Sequence, residues 1–574
     1  MRFQSPINDS TGAWSRWMAI AAALCVILIL PVAWDASQGW IFPDSISYID
    51  MASDALRGSP AVLLKNAYWS PAYPAILALM MAVVRPGLAA ELRAMYVVNW
   101  LIFLVTTACF SLLFGTFLQW LRRNSWPELA RDTTLVKALL GFGYAFFLLS
   151  NMNHILWYVT PDMLLQGMVY LSAACALRIF LPDSSWKHSV VLGVALGLGY
   201  LTKAAMFPVA IVLIGILFIK PPKDALGRRH ALIAMACFGL AAAPLVLSLS
   251  SEKQRFTFGD SGKLNYAFIV AGHGPFSGWT GQHPEDGIPK HAPRTISTAP
   301  LILEFRTPVS GTQPLWYDPS YWWEGLRVTI SVQRQLSGIF RPFRQVHSVQ
   351  TVFLALAAAL APLCLLSSRV RKIVRGGGIQ TWILFLWPAA ACLMYTLVLF
   401  SFRYVAGYIV LMCLSAAALL LQPFHSVTRT RALYAATLLL FVVGAVRLRP
   451  VVQAAFRPDA GGPLTREEGR DNQRSSAAVA HELARLGIRP GDEISVLGHS
   501  FDCYYARLAG VRIVAQIWED PEQVASLGAP QVRQVLSQLR QIGVKALVSR
   551  SKPGFVNDEG WIAIPRTDVF IRIL

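Results

Sequence analysis

The chain has 574 residues, 55% of them hydrophobic and only 14% charged, a balance that excludes an ordinary soluble enzyme. Lys and Arg number 51 against 32 Asp and Glu, a net charge of +19. From residue 451 onward the signs nearly cancel, at fifteen basic and fourteen acidic side chains, so the excess sits in the apolar part, in short loops. That is the positive-inside pattern of a polytopic membrane protein and not a tail that binds nucleic acid.

Apolar stretches long enough for the roughly 30 Å hydrocarbon core recur from Leu24 to Val446. The first, residues 17–34, follows Arg2 and Arg16 as a secretory signal would, but has no convincing small-residue cleavage site and reads as an uncleaved span. Ten further crossings are expected at 95–119, 135–150, 161–181, 187–202, 206–220, 230–250, 349–367, 380–401, 404–422 and 432–448. One alternation places Arg122, Arg123, Arg131 and Lys137, Lys187, Lys220 to Arg229, Arg369 to Arg375, and Arg429 with Arg431 all on the cytoplasmic side. Eleven crossings then leave the amino terminus inside and the carboxyl terminus outside, as expected of a bacterial inner-membrane protein. Seven of the eight cysteines lie in hydrophobic segments and only Cys503 lies outside them, so neither a disulfide framework nor a CxxC metal site can be built.

Two polar excursions fall on the outer side. Residues 35–94 contain Pro71 and Pro74 in an apolar patch, Ala72 to Val84, too short to span and read as interfacial helix. Residues 251–348 are rich in Gly, Pro and aromatics, including Trp316, Tyr317, Tyr321, Trp322 and Trp323; such rings suit either the bilayer interface or a sugar face. Residues 1–450 thus form a transmembrane domain. Beyond a Gly/Pro linker at Pro458 to Pro463, residues 451–574 read as a small extracytoplasmic α/β domain: helix at 475–486, strands at 494–497 and 511–517, helix at 531–542, strand at 546–549. Within it His499, Asp502 and Cys503 are read as a strand-to-helix turn rather than a nucleophile triad.

Ionisable groups near membrane depth are costly, and four gather on the outer side. Asp44, in Phe42-Pro43-Asp44-Ser45, stands some ten residues past the first span. Asp162 opens the fourth span behind Thr160 and Pro161, a complete helix-start signature. Lys203 closes Gly197 to Lys203, and Arg403 precedes Tyr404. Two cations on the side that positive-inside statistics disfavour, both in short turns, imply an anion to hold, such as a lipid carrier's phosphate. A carboxylate facing outward can take a proton from an acceptor hydroxyl while cations stabilise a departing phosphate. Nucleotide-activated donors are absent outside, so the donor would be lipid-linked.

These motifs resemble those of the class C (GT-C) integral-membrane glycosyltransferases. The first-loop Pro43-Asp44-Ser45 with Tyr48, the Ser70 to Pro74 segment and Arg93 carry the likeness, and Gly197 to Lys203, Thr160 to Asp162 and Arg403-Tyr404 are similar to stretches of the protein O-mannosyltransferase and lipid A aminoarabinose transferase branch. The resemblance covers roughly residues 15–420. It implies inverting transfer of a sugar from a polyprenyl-phosphate carrier to a glycan, lipid or protein hydroxyl. Asp44 would be the base, Asp162 a second acid near the acceptor or a divalent metal, and Lys203 and Arg403 the phosphate contacts. Tyr48, His154, Tyr404 and Trp322 are candidate substrate contacts. The motif here has one acid followed by Ser45 where several relatives carry two, which puts a metal in doubt. Rival readings are a transporter or flippase of a lipid-linked anion, for which no internal repeat is visible, a glycan ligase or polymerase using His273, His283, Arg294 and Arg344, and a scaffold for the outer domain.

Overall fold

The computed structural model describes residues 8–36, 41–274, 279–306, 308–344, 378–456, 464–498, 500–501, 503–518, 529–550, 560–565 and 567–574. Among these, six helices are long and apolar enough to cross a membrane: Ala90–Asn124, Thr133–Met152, Arg229–Lys253, Ile379–Val398, Phe402–Leu421 and Ser426–Val446. The crossings expected at 17–34, 161–181, 187–202 and 206–220 fall on helices whose described apolar portions are shorter than 18 residues. The crossing at 349–367 lies outside the described residues.

In chain order the elements that position the site are α1 (Asn8–Ala36), α2 (Pro43–Arg57), α3 (Ala72–Val84), α4 (Leu88–Asn124), α5 (Thr133–Trp157), α6 (Asp162–Arg178), α7 (Trp186–Thr202), α8 (Met206–Ile219) and α9 (Arg229–Lys253). After the outer excursion come α10 (Ile379–Val398), α11 (Phe402–Leu421) and α12 (Ser426–Phe456). Side-chain pairs show which helix ends lie together. At one end of the bundle Arg429 at the start of α12 pairs with Glu128 after α4, Arg178 at the end of α6 bonds Gln119 of α4, and Arg122 stands over Trp14 of α1. The opposite end collects the start of α6, the end of α7 and the start of α11.

Close approach of α7 and α9 has a readable cause. Gly193 and Gly197 lie four residues apart on α7; a Cβ on the first would meet the Ala234 carbonyl oxygen at 2.4 Å, and one on the second would meet the Ala241 Cβ at 2.4 Å. Small residues at this spacing let two apolar helices pack backbone to backbone. The packing fixes the end of α7, and with it Lys203.

A seven-stranded sheet caps the same end. Its strands are β1 (Arg294–Thr298), β2 (Leu301–Glu304), β3 (Glu493–Leu497), β4 (Arg512–Ile517), β5 (Ala546–Ser549), β6 (Trp561–Ala563) and β7 (Phe570–Ile573), in the order β1-β2-β4-β3-β5-β7-β6. The three central strands are parallel and buried, with Ile494, Val496, Ile513, Val514, Leu547 and Val548 inside, which is why they read as near-continuous apolar runs. Antiparallel strands close both edges. The sheet is not confined to residues 451–574: β1 and β2 come from the excursion after α9, and Ile302 of β2 pairs with Ile517 of β4. Residues 294–304 and the carboxyl-terminal segment therefore share one sheet.

That unit is locked to α2 by charge. Arg507 donates to Asp50 at 2.5 Å, to the two Glu91 oxygens at 2.8 and 2.6 Å and to Ser53 at 2.9 Å, and all three charged side chains are buried. Asp50 also accepts the Thr312 N–H at 2.7 Å and its hydroxyl at 3.0 Å. Removing one member of such a buried network leaves carboxylates without compensation, at a cost on the order of 3–5 kcal/mol. Arg507→Met is therefore expected to lower the unfolding temperature of the detergent-solubilised protein and to expose the 451–574 segment to limited proteolysis; unchanged proteolysis would show that the sheet alone holds the unit.

Candidate active site

Four charged side chains remote in sequence meet where the sheet caps the bundle. Three owe their places to helix ends. Asp44 stands in the first turn of α2 behind Pro43, and Asp162 opens α6, both where unpaired N–H groups and the helix dipole favour a carboxylate. Lys203 caps α7, its N–H on the Gly199 carbonyl. Arg403 lies in the first turn of α11, where the dipole opposes a cation, so its partners must hold it.

They do so in an alternating row. Asp162 Oδ1 accepts from Lys203 Nζ at 2.5 Å and Oδ2 from the Thr160 hydroxyl at 2.9 Å. Arg403 Nε stands 3.7 Å from that Oδ2, and Arg403 Nη2 donates to Asp44 Oδ2 at 3.2 Å. The formal charges of Asp44, Arg403, Asp162 and Lys203 cancel. Access differs: the Asp162 side chain is 2% exposed, against 15% for Asp44 and 23% for Lys203. Asp162 is thus an internal counter-ion, while the Asp44 and Lys203 side chains keep partial exposure.

Aromatic rings enclose the row. The Arg403 guanidinium carbon lies 4.5 Å from the Tyr158 ring, 4.8 Å from Tyr404 and 5.0 Å from Phe42, and Lys203 Nζ lies 3.5 Å over Tyr404. Each such contact contributes about 0.5–2 kcal/mol, more as the cation is desolvated. The walls also lower the local dielectric and so strengthen every charge interaction within. Asn99 steadies one wall, donating to the Tyr158 carbonyl at 2.8 Å while accepting from the Tyr73 hydroxyl at 2.7 Å. Burial raises the Asp44 carboxyl above the ordinary carboxylate range; Arg403 and the Trp316 indole oppose that rise.

Trp316 is the member that sequence reading did not assign to the acid. Its indole N–H donates to Asp44 Oδ1 at 3.3 Å, and its carbonyl accepts from Ser47 and from the Trp69 indole, both at 3.0 Å. Phe501 meets its ring edge-on at 4.6 Å, with Tyr68 at 5.7 Å and Trp69 at 5.8 Å. The sheet-bearing unit therefore touches Asp44 through the Trp316 ring. The only signal in the sequence is the aromatic density at 316–323, which does not single out a residue.

The remaining candidates divide. Tyr404 is in the row, its hydroxyl accepting from Arg403 at 2.8 Å. Tyr48, one turn beyond Asp44 on α2, is buried edge-on against Trp69 and Tyr73. Trp322 is turned inward, its indole N–H on the Pro314 carbonyl at 2.9 Å. The His154 side chain lies outside the described residues. His273 faces Asp286 at 3.5 Å, His283 is exposed beside Glu285, and Arg294 pairs with Glu304 on the sheet; these do not converge, and the Arg344 side chain is not among the described residues. Cys503 is buried at the start of the helix Tyr504–Ala509, while His499 and Asp502 are not described. Among the described residues no group of three His, Cys, Asp or Glu could hold a metal ion; the positive charge between the two acids comes from Arg403.

No family model matches this sequence, and no curated protein does. Solved structures do match. ArnT from Cupriavidus metallidurans, in its apo state, is 14% identical with 98% of each chain covered and a TM-score of 0.44; the same protein bound to undecaprenyl phosphate scores alike. The apo oligosaccharyltransferase of Archaeoglobus fulgidus is 13% identical over 93% of this chain and 69% of its own, with a TM-score of 0.47. Another structure of that archaeal enzyme holds an inhibitory peptide and a dolichol-phosphate.

Proposed function

We propose that the protein is a glycosyltransferase that moves a sugar from a polyprenyl-phosphate carrier to a hydroxyl at the outer face of the membrane. The observation that carries this reading is the row itself: a partly exposed carboxylate and a partly exposed ammonium joined through Arg403 and Asp162, at one end of a bundle of apolar helices. The eleven-crossing topology, with residues 451–574 outside, belongs to the same reading and supplies the reason for a lipid-linked donor.

The step would run as follows. The acceptor hydroxyl approaches Asp44, which takes its proton as the oxygen bonds to the anomeric carbon. The bond from that carbon to the phosphate oxygen breaks on the opposite face, so the configuration inverts. Negative charge grows on the leaving polyprenyl phosphate and is met by Lys203 and Arg403. In the resting arrangement the two cations lean on Asp162 and Asp44, which hold them in place before the phosphate arrives. Tyr404 and Tyr158 keep water from the cations. A divalent ion, if one takes part, would have the Asp44 and Asp162 carboxylates as its donors and would have to share them with Arg403.

Three measurements test the reading. Asp44→Asn keeps the size but not the basicity, leaving one acceptor oxygen where the carboxylate has two, and should lower turnover of lipid-linked sugar by about 10²–10⁴ in a protein that still folds and inserts; turnover at the wild-type rate would remove Asp44 from the role of base. The pH dependence follows from burial. A base must be ionised, so activity should fall on acidification at a pH above that of an ordinary carboxylate, about 4. Trp316→Phe deletes an N–H that stabilises the ionised form and should move that acid limb to higher pH while leaving the alkaline plateau in place; an unmoved limb would limit Trp316 to packing. Lys203→Ala should raise the donor KM by about tenfold or more, corresponding to some 1.4 kcal/mol, with acceptor KM little changed. Equal effects on both would place Lys203 outside the donor site.

A further inference from the structure

A second charged feature lies away from the row, between the end of α9 and the segments 286–290 and 320–327. It is a cavity of about 250 Å³ whose lining includes Arg255, Lys263, Lys290, Arg327, Glu324 and Trp323. Its two carboxylates are already engaged. Asp260 is paired with Arg255 at 2.5 Å, and Glu324 is held by Lys253 at 2.7 Å and Lys290 at 2.9 Å. Lys263 and Arg327 have no carboxylate at ion-pair distance among the described residues, and four cations against two acids leave the lining positive. Trp323 forms a wall; it is 3% exposed, and its indole N–H has no acceptor among the described residues.

The frame is rigid. The Lys290 N–H donates to the Glu324 carbonyl and the Arg327 N–H to the Asp286 carbonyl, each at 2.8 Å. Gly325 has φ +102°, and a Cβ there would lie 2.0 Å from the Ile288 carbonyl oxygen, so only glycine lets the two segments lie this close. A preformed, positively charged pocket is suited to a small anion attached to something larger.

Its position says what that larger body is. Phe268 meets Trp323 at 5.1 Å and Trp316 at 6.4 Å, and Trp316 reaches Asp44. Two ring-to-ring steps, through Phe268, link the Trp323 wall of the cavity to Trp316 and so to the acid. We propose that this cavity docks an anionic group, phosphoryl or carboxyl, carried by the acceptor saccharide, so that a neighbouring sugar hydroxyl lies at Asp44. This rests on the glycosyltransferase reading only for the word acceptor; binding itself does not require turnover.

The test is calorimetric titration of the full-length Asp44→Asn protein in neutral detergent with glucose 6-phosphate, glucuronate and glucose. Glucose 6-phosphate, glucuronate or both should bind, more weakly as salt is raised, and glucose should not; which acid binds identifies the group. Lys263→Ala with Arg327→Ala should weaken that binding by about tenfold or more, the loss of charge-assisted contacts, whereas Lys203→Ala should leave it unchanged. Equal binding of glucose, no binding of either acid, indifference to the double substitution, or loss in Lys203→Ala would each overturn the proposal. Because no turnover is measured, failure here leaves the proposed reaction standing, and failure of the reaction leaves this binding measurable.

Discussion

The site depends on one guanidinium. Arg403 links the Asp44 carboxylate, carried on the short helix α2, to the Asp162 carboxylate at the head of α6. Without a shared cation two acids at one low-dielectric mouth would repel, and one would take up a proton. With it the row is neutral, and Lys203 can balance Asp162 from the far side. Because Arg403 occupies a helix start, where the dipole disfavours it, its place is set by these acids and by the faces of Phe42, Tyr158 and Tyr404. A planar fork satisfies two carboxylates and three rings at once; an ammonium could not.

A second constraint holds the row from above. Helix α2 carries Asp44 at one end and, farther along, Asp50 and Asp54. Asp50 is bound by Arg507 and Thr312, and Asp54 accepts from Ser310 at 2.6 Å. The helix is therefore pinned to the outer unit along its length, and Trp316 closes the gap between Phe501 and Asp44. Anything that shifts the sheet against the bundle reaches the carboxylate through that ring. The outer unit thus belongs to the site and does more than sit above it.

The parts legible in the sequence share a physical reason. Asp44, Asp162, Lys203 and Arg403 are charges beside apolar runs, where each costs free energy unless paired, so position along the chain is enough to mark them. Central strands β3, β4 and β5 were legible as apolar runs because both their faces are buried. By contrast β1 is half exposed and β2 only four residues long, and neither shows an alternation that would mark a strand or its partner. Trp322 and Trp316 are indistinguishable by composition, and only the fold turns one inward and the other onto the acid.

Hydropathy and the placement of Lys and Arg by themselves determined that this is a membrane chain with costly charges at helix ends, because desolvation costs act locally on each residue. Tertiary structure alone decided which charges neutralise one another, that residues 294–304 complete the carboxyl-terminal sheet, and that Arg507 clasps a helix more than four hundred residues earlier in the chain. Those are pairings between distant segments. Their free energy depends on distance and burial in the folded chain, and no local pattern encodes either one.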